Sequence, residues 1–132
     1  MFLEDWKIKV SVLWLFKEVA MLASGVLMIM APGAIEMIQS GEIWMGIDPT
    51  AMLLLEAIIF LVPLVMAFLT LILKDSTNRW TNIVVGVVFA GLELFGLTDP
   101  MAQTAYVVLM SLSSFVALIL IVWFAWKSKE KA

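Results

Sequence analysis

Ala51–Leu73, AMLLLEAIIFLVPLVMAFLTLIL, decides the class of this chain. Glu56 is its single ionisable residue, and at about 1.5 Å per residue a helix of this length crosses the ~30 Å hydrocarbon core of a bilayer. A helix at a soluble surface keeps one polar face, whereas this one is apolar almost all round. Three further stretches extend the pattern: Ile8–Met30, Trp80–Leu97 and Met101–Trp126. Each meets the requirement of about 17–25 residues, with Trp80–Leu97 near the lower limit. The whole chain agrees, at 64% hydrophobic residues and a mean hydropathy of +1.08, against roughly 45–50% apolar content in soluble domains. The expected fold is all-α: an integral membrane four-helix bundle of antiparallel up-down topology. It forms one transmembrane domain over residues 1–132, with an outer connecting segment at 31–50. Glu4 and Asp5 open the chain, and the apolar run after them exceeds the ~7–15 residues of a signal-peptide core. The first span is therefore expected to remain as an uncleaved signal anchor.

Composition excludes several classes of activity. With no cysteine and no histidine, thiolate chemistry and the usual ligand for haem, copper or catalytic zinc are missing, so neither cofactor nor metal is expected. The net charge of −3 is small and the basic residues form no stripe that could follow a phosphate backbone, so nucleic acid is not an expected partner. An enzyme is not expected either. The acid–base inventory reduces to carboxylates, Lys17 and Tyr106, and no nucleophile–base spacing occurs.

The charges predict an orientation. Lys7 and Lys9 precede the first span, Lys74 and Arg79 flank the second connection, and Lys127, Lys129 and Lys131 follow the fourth span. Of the eight basic residues, all but Lys17 thus fall on one side. The positive-inside rule makes both termini cytoplasmic, in a cell-membrane protein with several spans. The first and third connections, with Glu36, Glu42, Asp48 and Asp99, face outward. Trp6, Trp80, Trp123 and Trp126 are expected at the inner interface, and Trp44 and Tyr106 near the outer one.

The connections carry their own signals. Asp48-Pro49 and Asp99-Pro100 share one grammar, an aspartate N-cap followed by proline at the first helical position. Lys74–Arg79 reads as a tight antiparallel turn with Asp75, Ser76 or Thr77 available as a cap. Ala34–Ser40 can form one or two helical turns, stopped by Gly41. Ile35, Ile38, Ile43, Trp44 and Ile47 make the 31–50 segment a connector on the lipid surface or a lid over the bundle.

Lipid gives helices no hydrophobic reason to associate, so small and polar residues mark the packing faces. The third span places Asn82, Gly86, Ala90 and Glu93 on one stripe. The second places Glu56, Phe60, Pro63, Ala67 and Thr70. In the first span Ser11, Glu18 and Gly25 stand at heptad spacing, with Ala20 and Ser24 on a neighbouring face. The fourth offers either Ser111, Ser114 and Ala117 or Ser113 and Ala117. Pro63 leaves the Ile59 carbonyl without its helical partner, which predicts a kink or a bond from a neighbouring helix.

Four ionisable residues lie inside the spans: Lys17, Glu18, Glu56 and Glu93. Together with Asn82, Ser111 and Ser114 they form the candidate proton, ion or interhelical polar site, because charges in a span are costly and mark function by default. Glu18 falls roughly 15–18 Å from either end of its span, and Glu56 and Glu93 about 6–8 Å below the outer ends of theirs. This predicts two layers, Lys17 with Glu18 and Glu56 with Glu93. Side chains lean toward the helix N-terminus, so Lys17 does not easily reach either outer carboxylate, Glu93 being the better placed. Three acids and one base leave two uncompensated charges if all ionise, so at least one carboxyl is expected to be neutral unless a cation or a hydrated cavity supports it. Such a carboxyl suits proton coupling, and equally suits a static hydrogen-bond donor between helices.

From Glu4-Asp5-Trp6-Lys7 through Trp14-Leu15-Phe16 and Ala20–Ser24, and again over Leu73–Asn82, the chain resembles an uncharacterised prokaryotic, partly archaeal family of small four-span membrane proteins of unknown function. That resemblance covers nearly the whole chain and implies a fold without an activity. The chain is also similar to the small multidrug resistance transporters in having four spans and a membrane-embedded glutamate in the first, which Glu18 would match. Lys17 beside it and the long outer connection depart from that family, so the similarity is one of mechanism. The expected function is an oligomeric structural or accessory membrane component whose buried charges fix helix packing. The alternative is a proton-linked transporter or channel for small cations using intramembrane glutamates. The expected partners are the lipid bilayer, further copies of the chain, and an unidentified membrane protein.

Overall fold

The computed structural model describes residues 5–41, 46–98 and 104–128. They form five helices: α1 Asp5–Met30, α2 Ala34–Ser40, α3 Pro49–Ile72, α4 Asp75–Gly96 and α5 Ala105–Lys127. All but α2 are long and apolar enough to cross a membrane.

The helix ends follow from local chemistry. Asp48 caps α3, its Oδ2 accepting the Ala51 N–H at 3.1 Å, and Pro49 takes the first helical position. There the backbone lacks a donor that would otherwise need a partner. α3 stays helical through the buried Pro63. Gly41 ends α2 in the left-handed conformation at φ 81°, its N–H bonded to the Ile38 carbonyl, a conformation that glycine adopts without steric cost.

Two expected starts are corrected. α4 begins at Asp75, capped by the extended backbone of Lys74 with no side-chain bond, so none of Asp75, Ser76 and Thr77 is its cap. Hydropathy marks where the apolar span starts, while the helical backbone starts five residues earlier, within the polar segment. α5 begins at Ala105 after an extended Thr104, not at Met101, and the expected Asp99-Pro100 cap lies outside the described residues. Residues 99–103 lie outside the described residues, as do Glu4, Glu42, Ile43, Trp44, Lys129 and Lys131 from the expectations above.

α1 is the central helix. It packs most extensively on α5 and next on α3, while α4 packs on α5 and touches α3 only sparingly. Contacts between neighbours run in opposite register. Lys7 reaches the Leu73 carbonyl and Ser11 the Ala67 carbonyl, while Trp80 meets Trp126 and Glu93 meets Ser114. The core is lopsided along the bundle. Trp6, Val10 and Trp14 of α1, Met66 and Ala67 of α3, Phe89 of α4, and Leu118, Ile121 and Ala125 of α5 bury one another. These residues concentrate toward the end holding Asp5, the Leu73–Lys74 turn and Lys127, here termed the basic end. The opposite end, at α2, is the connector end.

At the basic end Lys7 pairs with Asp75 at 2.9 Å. The Arg79 guanidinium lies 4.8 Å from the Trp80 ring and 4.9 Å from the Trp126 ring. Trp80, Trp123 and Trp126 are exposed, as a belt requires, but Trp6 is buried and belongs to the core. Tyr106 is exposed. The α4–α5 contact depends on Gly86, where a Cβ would stand 2.8 Å from Val122 Cγ2.

Candidate functional site

The polar residues of the spans divide into two groups. Toward the basic end, Trp14, Thr70, Asn78 and Asn82 are all fully buried. Asn82 Oδ1 accepts the Trp14 indole N–H at 2.7 Å and faces the Thr70 hydroxyl at 3.2 Å. Asn82 Nδ2 donates to Asn78 Oδ1 at 2.7 Å and to the Asn78 carbonyl at 2.9 Å. Asn78 Nδ2 donates to the carbonyls of Thr70 at 2.6 Å and Leu73 at 3.2 Å, acceptors that the end of α3 leaves without helical partners. The Thr70 hydroxyl also lies 2.6 Å from the Met66 carbonyl. Three helices are joined here with their amide and indole donors satisfied, the condition under which a buried polar network rigidifies a core.

Toward the connector end the arrangement differs. Lys17 Nζ lies 3.6 Å from Glu93 Oε1, with both side chains almost fully buried, and 4.9 Å from the centroid of the Phe89 ring. The Ser114 hydroxyl donates to the same Glu93 Oε1. One carboxylate oxygen thus links α1, α4 and α5. The other, Glu93 Oε2, is buried without a hydrogen-bond partner, and so is Glu18 Oε2. A cavity of about 440 Å³ opens beside the pair, walled by Lys17 and Ser24 of α1, Glu56 of α3, Glu93 of α4 and Ser111 of α5. Along α3, side chains are buried only in the half toward the basic end. Pro63, Met66, Ala67 and Thr70 are buried, whereas Leu53, Leu54, Leu55 and Ile58 are exposed.

The expected site is therefore regrouped. Ser111, Ser114, Glu93 and Lys17 come together, and Asn82 belongs to the separate network below them. Lys17 does reach Glu93, and the two expected layers merge, because its flexible four-carbon stem moves the ammonium well away from its own Cα. Glu18 is buried on the Ser11 stripe, and Ser11 donates to the Ala67 carbonyl of α3 at 2.7 Å. Glu56 is exposed on the cavity wall, since the outer half of its stripe is not packed into the core. In α5 the Ser111–Ser114–Ala117 face is the buried one, and Ser113 bonds to its own helix at the Leu109 carbonyl. In α4 the buried stripe takes Phe89 where Ala90 was expected.

Two residues of the network were not singled out by sequence. Trp14 reads as one more apolar residue of its span, and Asn78 as a turn residue. The signal for Asn78 was its four-residue spacing to Asn82, which puts both amides on one helix face. Among the described residues no group of three or more His, Cys, Asp or Glu side chains is placed to hold a metal ion.

No curated protein and no solved structure matches this chain. One family, described as "Family of unknown function (DUF6326)", matches residues 2–132, and to that family the chain belongs.

Proposed function

We propose that the protein is a single four-span domain of the cell membrane, an antiparallel up-down bundle with both termini cytoplasmic. It acts as an oligomeric structural or accessory component. The orientation is supported by the basic end, where Lys7, Lys9, Arg79 and Lys127 all contact acidic or aromatic side chains, an arrangement suited to the cytoplasmic interface.

The observation that carries the structural role is the Lys17–Glu93–Ser114 link, in which a buried charge pair ties three helices together. Removing one partner of such a pair costs more than replacing both, because the single loss leaves a buried charge uncompensated. An oligomer is supported by Glu56, a carboxylate exposed among Leu53, Leu54, Leu55 and Ile58, since a charge on a lipid-facing surface is costly. The test is a thermodynamic cycle in a bilayer-mimicking micelle with Lys17→Met, Glu93→Leu and the double variant. The double variant should lose clearly less stability than the two single losses added together. Additive losses would mean that the pair does not fix the packing.

A second reading, a proton-linked transporter or channel for small cations, is supported by the unpartnered oxygens of Glu18 and Glu93. Its test is potential-driven proton and cation flux into liposomes, compared with Glu18→Gln and empty vesicles. Flux abolished in a folded Glu18→Gln variant supports the path, and flux no greater than in empty vesicles rejects it.

A further inference from the structure

The cavity at the connector end combines features that select one kind of occupant. Its volume of about 440 Å³ falls within the ~300–1,000 Å³ of small-molecule sites. Its walls are largely apolar, with Met21 and Met28 among them, flexible and polarizable side chains that adapt to an irregular guest. The sparse contact between α3 and α4 and the exposure of Glu56 and Phe95 leave it open on the face that meets lipid.

The polar groups in the walls are unevenly committed. The Lys17 ammonium is engaged by Glu93 Oε1 and the face of Phe89. What remains is the neutral Ser24 and Ser111 hydroxyls and two carboxylates with acceptor capacity, Glu93 Oε2, buried and unpartnered, and Glu56. One ammonium against two carboxylates leaves an excess of negative charge, which an anionic guest would increase and a neutral guest would leave uncompensated.

We propose that this cleft binds an organic cation with an apolar body, of which an alkylammonium is the simplest member. The head group meets Glu93 and Glu56, and the chain lies along the methionine and leucine wall toward lipid. The inference deepens the second reading by naming a ligand class, but it concerns occupancy alone. Binding without flux would retire transport and leave the site.

The experiment is calorimetric titration of the full chain in lipid nanodiscs with octylammonium, octanol and octanoate, with the heat in empty nanodiscs subtracted. The three probes share one tail and differ in the head. Octylammonium should bind saturably at one per chain, with octanol and octanoate at least tenfold weaker. Glu93→Gln should weaken octylammonium at least tenfold and Glu56→Gln about threefold or more. Among the described residues Glu56 holds nothing together within the chain, so if Glu93→Gln fails to fold the matter is decided by Glu56→Gln, its oligomeric state read alongside by light scattering, together with Ser111→Leu. Ser111→Leu, which narrows the cavity and keeps every charge, should weaken binding as well. Octylammonium binding no greater than in empty nanodiscs would overturn the proposal. So would octanoate binding as tightly as octylammonium, or affinity unchanged in folded Glu56→Gln and Ser111→Leu.

Discussion

The two halves of the bundle solve the problem of polar groups in an apolar protein in opposite ways. Toward the basic end, Trp14, Thr70, Asn78 and Asn82 are neutral, fully buried and bonded to one another or to main-chain carbonyls. Toward the connector end, Lys17, Glu18 and Glu93 are ionisable, two carboxylate oxygens lack partners, and a cavity lies beside Lys17 and Glu93. A closed neutral network adds rigidity and specifies which helices meet. An open, under-satisfied group of charges retains the capacity to bind. The molecule thus separates the part that fixes the fold from the part where chemistry can occur.

This contrast orders the effects of mutation. The largest belongs to the charge pair. Lys17→Met leaves Glu93 buried with Ser114 as its one remaining partner, and stability measured by denaturant in micelles should fall by about 3–5 kcal/mol. Next comes the network, where Asn82→Leu strips partners from the Trp14 indole and the Asn78 side-chain oxygen. The loss there should be about 1–3 kcal/mol, and a loss exceeding that of Lys17→Met would reverse the ranking of the two halves.

Gly86→Ala follows. Its new methyl would press on Val122, and overpacking of this kind costs about 1–3 kcal/mol, the lower end being expected because Val122 is only half-buried. An unchanged melting temperature would show that α4 and α5 do not approach as closely as described. The smallest effect is at Glu56→Gln, which should change the stability of the single chain by no more than about 0.5 kcal/mol. Any change should instead appear in oligomeric state, read by light scattering.

Much of the basic half was legible in the sequence, because its determinants are local or periodic. The stripes through Ser11, Asn82, Gly86 and Thr70 depend on spacing along one helix, and at the connector end the Asp48-Pro49 start and the Gly41 stop are equally local. The polar cluster of the connector half was legible only as a set of residues. That Lys17 meets Glu93 depends on a flexible side chain crossing between helices that are remote in sequence. That Glu56 faces a cavity depends on where the buried face of α3 ends, and nothing in its near-uniform apolar composition marks that point. The early start of α4 has a simpler cause, since Asp75–Arg79 is polar and hydropathy detects only the apolar part of a helix.

The absence of cysteine makes the native chain its own background for the most direct test of the division. Ser24→Cys and Ser111→Cys place a thiol in the cavity wall, and Thr70→Cys and Ser11→Cys place one in the closed half. Each variant, in sealed vesicles of known orientation, is exposed to a small membrane-impermeant methanethiosulfonate on either side. Because the cavity runs up to Met28, Gly96 and Leu97 at the connector end as well as to the lipid face, the account predicts modification at Ser24→Cys and Ser111→Cys from the connector side, and none at Thr70→Cys or Ser11→Cys from either side. Equal reactivity in the two halves, or protection of the cavity positions with modification at Thr70→Cys, would contradict it.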